Sequence, residues 1–144
     1  MKLTDVFSEE LIEFNKEIKT KEEAVAELVS LLDKTGKLSD KNRFEQDIYD
    51  VESDMPIILT ENIALLHALS PAVKAPSIAL LAGKNILGWD SGISYVFMAA
   101  SDNDKNRISV LMTLASLLLD GDFFENMKSA ESASEIMKAI EKKA

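Results

Sequence analysis

Apolar positions in the first third of the chain recur at three- and four-residue intervals. Ala24, Val25, Leu28, Leu31 and Leu32 form one such stripe, the mark of a helix with a single buried face. Thr20 with Glu23 three positions later makes a capping box, and Gly36 stands where helices commonly stop. The pattern therefore predicts a helix over about Lys21 to Lys34. A second helix is predicted after Ser39-Asp40, turning Phe44, Ile48 and Val51 inward. Pro56 closes it, because the residue before a proline is pushed out of the helical region.

The middle third has a different rhythm. Ile57-Ile58-Leu59, Ile63 to Leu66, Ser77 to Ala82 and Tyr95 to Ala100 are short apolar runs parted by turn residues, as expected of strands buried on both faces. Asn85 to Gly92 reads as a short strand and a turn. Helical spacing then returns. A helix is predicted from Asp104 to Leu119 with Ile108, Leu111, Leu114, Ala115 and Leu118 inward and Gly121 beyond its end. A short helix around Phe123 to Lys128 follows, and a last one from Ser132, boxed with Glu135, to about Lys142, burying Ile136 and Ile140. Helices, strands, then helices predict an α/β fold, a single mixed β-sheet of about five strands flanked by helices on both faces. No repeat or linker divides the chain, so residues 1–144 are expected to form one domain.

Composition narrows the chemistry. Sixteen basic against 25 acidic residues give a net charge of -9, which argues against a nucleic-acid partner. The absence of cysteine excludes disulfides, thiolate metal sites and cysteine nucleophiles. The N-terminus has no apolar leader, and the longest apolar stretches fall short of the roughly 18 residues of a membrane span. A cytoplasmic chain with no direct membrane insertion is the expectation. No phosphate-binding loop, dinucleotide fingerprint or serine elbow is present, and no cofactor is implied. Asp102-Asn103-Asp104 resembles half of a calcium loop but lacks the glycine and glutamate that complete one, so no metal site is expected. Met98, Met112 and Met137 are read as core fillers, and Asp50 with Glu52-Asp54 as solvated surface.

His67, the single histidine, is the leading candidate for chemistry. At the end of the run Ile63-Ala64-Leu65-Leu66 and next to a turn, its ring can face solvent while the sheet holds its backbone. A neutral imidazole so placed can act as a nucleophile. The competing reading is a core-edge histidine satisfied by a backbone carbonyl.

The order of these features resembles a known family. Met1-Lys2-Leu3-Thr4-Asp5-Val6-Phe7, Lys21-Glu22-Glu23-Ala24-Val25 with Gly36, and Ile63-Ala64-Leu65-Leu66-His67-Ala68 come first. Ala75-Pro76-Ser77-Ile78-Ala79, Ile86-Leu87-Gly88-Trp89, Val96-Phe97-Met98 and the helix at Arg107-Ile108 follow. Across essentially its whole length the chain resembles enzyme IIA domains of the fructose/mannitol type, from the bacterial sugar phosphotransferase system. Glu52 and His67 keep the separation found in that family. The resemblance implies a phosphohistidine relay. His67 would accept a phosphoryl group from the histidine-containing phosphocarrier protein and pass it to an enzyme IIB for sugar uptake. Leu65, Leu66 and Leu69 could face those partners or lie in the core, and pairing of the chain with itself is left open.

The departures are specific. Val51 stands where the family has an arginine, Ile57 to Asn62 where it is glycine-rich, Leu66 where it has a proline, and Arg107 where it has a second histidine. Arg107, a fixed cation with a planar fork, would then hold the phosphoryl oxygens; the alternative is a surface arginine at a helix start. At the level of the whole protein the alternatives are a regulatory binding module that keeps the fold but has lost efficient transfer, and an unrelated α/β domain with a chance histidine.

Overall fold

The structure, a computed structural model, describes residues 1–54, 57–60, 62–86, 89 and 92–144. Among these, α1 (Leu3–Val6), a 3-10 turn (Glu9–Leu11) and β1 (Ile12–Phe14) precede α2 (Lys21–Lys34) and α3 (Lys41–Asp54). The strands β2 (Ile57–Thr60), β3 (Ile63–Leu69), β4 (Ser77–Ile86) and β5 (Ile93–Ser101) follow, and then the helices α4 (Asp104–Leu118), α5 (Gly121–Ser129) and α6 (Ala133–Glu141).

The helices begin where side chains meet their orphaned amides. The Thr20 hydroxyl accepts from the Glu23 amide at 3.1 Å, and Ser132 does the same for Glu135. The acidic half of each box reaches one residue further out than the motif predicts. Glu23 accepts from the Lys19 amide and Glu135 from the Glu131 amide. α2 ends in a Schellman turn: the Lys37 amide donates to Leu32 and that of Gly36 to Asp33. Gly36 has φ +77°, a conformation that costs a residue with a Cβ. The predicted stop of α3 at Pro56 lies outside the described residues.

The described strands form one mixed sheet in the order β1-β4-β5-β3-β2. β3 runs parallel to β5 from Ile63↔Tyr95 to Leu69↔Ser101. β4 is antiparallel to β5, β1 parallel to β4, and β2 antiparallel to β3. The sequence pattern did not show β1: three residues carry too little periodicity, and their support comes from a strand far along the chain. β4 absorbs the start of the expected extra strand by continuing to Ile86, while Leu87, Gly88, Asp90 and Ser91 lie outside the described residues.

Both faces of the sheet are covered. Ala64, Leu66 and Ala68 of β3 join Leu28 and Leu32 of α2 and Phe44 and Ile48 of α3 in one core. Ile63 and Leu65, pointing the other way, join Val110, Leu114, Leu117, Phe123, Ile136 and Ile140 in a second, as the two-residue period of a strand requires. Leu65 and Leu66 are thus core residues, and neither is available to a partner; Leu69 is partly buried.

The inward face of α4 also differs from expectation. Val110, Leu114 and Leu117 are buried, with Leu111 and Leu118 packed beside them, whereas Ile108 and Ala115 face solvent. From Ile108 onward this helix carries no charge and has apolar residues on more than one side, so spacing alone could not choose between its two faces. Met98 and Met137 fill the core as expected, but Met112 is 65% exposed.

Candidate functional site

His67 stands near the C-terminal end of β3, paired in register with Ala99 of β5. It shares the strand face of Ile63 and Leu65, the face on which α4 packs. The ring is half-buried. It has no hydrogen bond to another described residue, and no buried side-chain nitrogen or oxygen among them lacks a partner. Its nitrogens therefore reach the surface, and among the described residues no backbone carbonyl satisfies them as the core-edge reading requires.

Arg107 comes to the same place by a separate route. β5 ends at Ser101 beside Leu69 of β3, so the helix that follows starts at the His67 end of the sheet. Asn103 caps that helix, accepting from the Asn106 amide at 2.8 Å. Arg107 lies in its first turns with Nη2 3.0 Å from Asp104 Oδ1. That pair offsets an unfavourable cation near a helix N-terminus.

The two residues are coupled electrostatically. The imidazole pKa lies below its ordinary value, first because burial disfavours the charged ring, then because the Arg107 charge opposes a second cation. Both effects keep His67 neutral, the form in which a ring nitrogen has a lone pair to donate. A nucleophile and a fixed cation at one strand end, partly screened from water, suit capture of a group that carries negative oxygens.

The remaining family positions behave differently. Val51 is partly buried against the α2–α3 core, so this position contributes no cation to the site. Glu52 is not a solvated surface residue: its carboxylate pairs with Lys21, and its side chain is only 11% exposed. The same ammonium lies 5.2 Å from the centre of the Trp89 ring. Nothing in the sequence pattern joins these three. Asp102 accepts from the Asn106 side chain and Asp104 is taken by Arg107. Among the described residues no cluster of His, Asp or Glu is arranged to hold a metal ion, and no helix is long and apolar enough to cross a membrane.

Residues 5–143 match the family model described as "Phosphoenolpyruvate-dependent sugar phosphotransferase system, EIIA 2". Over 146 aligned positions the chain is 32% identical to the PTS system fructose-specific EIIABC component of Bacillus subtilis (strain 168), covering 97% of this chain and 23% of that protein. It thus spans about a quarter of the length of the curated relatives it matches. Among solved structures, the solution structure of the mannitol-specific cryptic phosphotransferase enzyme IIA of Escherichia coli superposes with a TM-score of 0.81 at 22% identity, covering 99% of each chain. A second is the complex of the mannitol enzyme IIA with phosphorylated enzyme IIB from Escherichia coli. It matches with a TM-score of 0.79 at 22% identity, over 94% of this chain and 97% of that one. At such identities the structural likeness speaks for the fold.

Proposed function

The chain belongs to the EIIA 2 family of the phosphoenolpyruvate-dependent sugar phosphotransferase system, and on that premise we propose that it relays a phosphoryl group through His67. The observation that carries the proposal is the meeting of His67 with Arg107: a neutral, surface-reaching imidazole beside a permanent cation. The donor is the histidine-containing phosphocarrier protein and the acceptor an enzyme IIB, the assignment that family membership favours. The work is done in the cytoplasm, where sugar uptake draws on it.

In the first step a lone pair on a His67 ring nitrogen attacks the phosphorus of the donor's phosphohistidine. A new N–P bond forms as the donor's N–P bond breaks, and the bonding pair returns to the donor ring. The second step repeats this in the opposite sense, the acceptor's nucleophile taking the phosphoryl group and His67 regaining its lone pair. Charge spreads over the three phosphoryl oxygens in each transition state. Arg107, released from Asp104, meets them with a planar pair of N–H donors. The step needs no nucleotide or metal ion.

The decisive experiment follows label along the relay. Enzyme I, the phosphocarrier protein and labelled phosphoenolpyruvate are combined with this chain and an enzyme IIB. Label should reach the IIB with wild-type protein and stop at the phosphocarrier with His67→Ala. A second reading, a binding module without efficient transfer, is favoured by Val51, whose packing against the core removes a cation from the site. It predicts that folded wild-type protein takes up no label.

A further inference from the structure

Three polar residues are buried among the described ones: Ser70, Ser77 and Ser101, exposed by 1%, 1% and 2%. All stand at the end of the sheet where His67 lies. Ser70 follows β3, Ser77 opens β4 opposite Ala100, and Ser101 closes β5 opposite Leu69. Buried hydroxyls are expected to be hydrogen-bonded, and two of these are. The Ser70 oxygen accepts from the Ala72 amide at 3.1 Å, and the Ser77 hydroxyl donates to the Ala75 carbonyl at 2.9 Å. The Ser101 hydroxyl bonds to no other described residue, yet no fully enclosed side-chain oxygen among them lacks a partner. Its oxygen therefore reaches solvent, through the sliver of surface that the residue keeps.

That oxygen opens on the face of His67. Along β5, Tyr95, Phe97 and Ala99 lie in the core beneath α4, and Val96, Met98 and Ala100 in the other core. The alternation puts Ser101 on the α4 side. His67 pairs with Ala99 and Leu69 with Ser101, so Ser101 is the diagonal neighbour of His67. Strand spacing and rise set their Cα atoms about 8 Å apart, too far for a direct bond and near enough for both side chains to reach one group between them. Arg107 approaches from above: it precedes Val110 by three residues and Leu114 by seven, on the inward stripe of α4. The polar residues that follow Ser101 are engaged with one another. Asp102 and Asn103 accept from Asn106, and Asp104 pairs with Arg107. Two of these are anions, which repel phosphoryl oxygens, whereas Ser101 offers an O–H donor.

We infer that Ser101 is a further phosphoryl-holding residue of this site: from β5 its hydroxyl donates to an oxygen of the phosphoryl group carried by His67, while Arg107 meets the other oxygens from α4. The inference rests on the relay reading of His67. No bond to Ser101 forms or breaks, and the hydroxyl keeps its proton. The strand holds the donor in place before the charge arrives, so little reorganisation is needed when it does. The sequence pattern passes over this residue, because the apolar run that marks β5 stops at Ala100.

The test phosphorylates the single histidine with potassium phosphoramidate, a small donor that needs no partner protein, in wild type, Ser101→Ala and Ser101→Thr. Phosphohistidine is followed by phosphorus NMR. Ser101→Ala should form it on the order of ten-fold more slowly, as loss of a hydrogen bond to a charged group implies, and its resonance should move. Ser101→Thr, which keeps the hydroxyl, should restore both. The melting temperature of Ser101→Ala and the nitrogen shifts of its unphosphorylated imidazole should equal those of wild type. Equal rates and an unmoved resonance in Ser101→Ala would overturn the inference. So would altered imidazole shifts before phosphorylation, which would make Ser101 a support of the free ring. A slower reaction that neither moves the resonance nor recovers in Ser101→Thr is a packing effect and overturns it too, as does folded wild-type protein that phosphoramidate leaves unlabelled. If the phosphorylated phosphocarrier protein fails to label wild type while phosphoramidate labels it and Ser101→Ala slows that reaction, the relay fails and the Ser101 contact stands.

Discussion

Arg107 acts on His67 from a different element of the fold: its charge opposes protonation of the imidazole, although one residue lies on β3 and the other in the first turns of α4. Parallel pairing of β3 with β5 brings them together, because it sets the start of α4 at the end of the sheet where His67 stands. The same cation thus favours the neutral imidazole and, on the proposed relay, would meet the phosphoryl group that His67 accepts.

Removing that cation should slow uptake without unfolding the protein. Arg107→Ala is expected to reduce the rate of His67 phosphorylation roughly 10²-fold, the usual loss for one preorganised donor at a developing charge. Arg107→Lys should recover part of it, since an ammonium supplies charge without the fork. Rapid-quench measurement of labelling by the phosphorylated donor reads both. Equal rates for wild type and Arg107→Ala would remove Arg107 from the site.

The pH dependence has a definite sign. Burial and the Arg107 charge lower the His67 pKa in the folded state, so the ring stays neutral, and able to react, at pH values where an ordinary histidine is protonated. In the window between its unfolded and folded pKa the unfolded chain binds more protons, so stability falls as pH drops through it. Proton NMR titration of the single imidazole should give a midpoint below that of a model histidine. Arg107→Ala should move it upward but not restore it fully, because burial is the larger cause. An unshifted wild-type midpoint contradicts the geometry.

Lys21, Glu52 and Trp89 tie α2 to α3 and to the segment after β4. Glu52→Gln leaves an ammonium with one fewer partner in a largely buried position. It should cost about 1–3 kcal/mol, less than for a fully enclosed pair because Lys21 retains contact with water. Denaturant unfolding measures it. Lys21→Met should in addition alter the emission of Trp89, the single tryptophan, because the cation over its ring is gone. A fluorescence spectrum unchanged by that substitution would mean the contact is not formed in solution.

Gly83 is fixed by a close approach. A Cβ there would lie 2.6 Å from the Lys16 carbonyl oxygen, a backbone atom. Gly83→Ala must therefore push the segment after β1 away from β4, and is expected to cost about 1–3 kcal/mol. A thermal melt equal to that of wild type would show that the segment yields without loss.

Much of this fold could be read in the sequence wherever a local signal decides. Thr20, Ser132 and Gly36 mark helix ends with side-chain and backbone chemistry that needs no tertiary context. His67 was identifiable as the single histidine at the end of an apolar run, and Arg107 only through its resemblance to a family position. What escaped depends on distant partners. β1 exists because β4 is beside it, and Glu52 is held because Lys21 arrives from another helix. The two faces of α4 are told apart by what packs on them: of the apolar residues assigned to the core there, Leu114, Leu111 and Leu118 do pack inward, but Ile108 and Ala115 are exposed.

The most direct test of the account is the chemical state of His67 itself. The 144-residue chain is incubated with the phosphorylated donor and examined by phosphorus NMR under alkaline conditions that preserve phosphohistidine, beside His67→Gln. The account predicts one phosphohistidine resonance in wild-type protein, lost in the variant while its fold is retained. No such resonance in folded wild-type protein, or one that survives in His67→Gln, would contradict it.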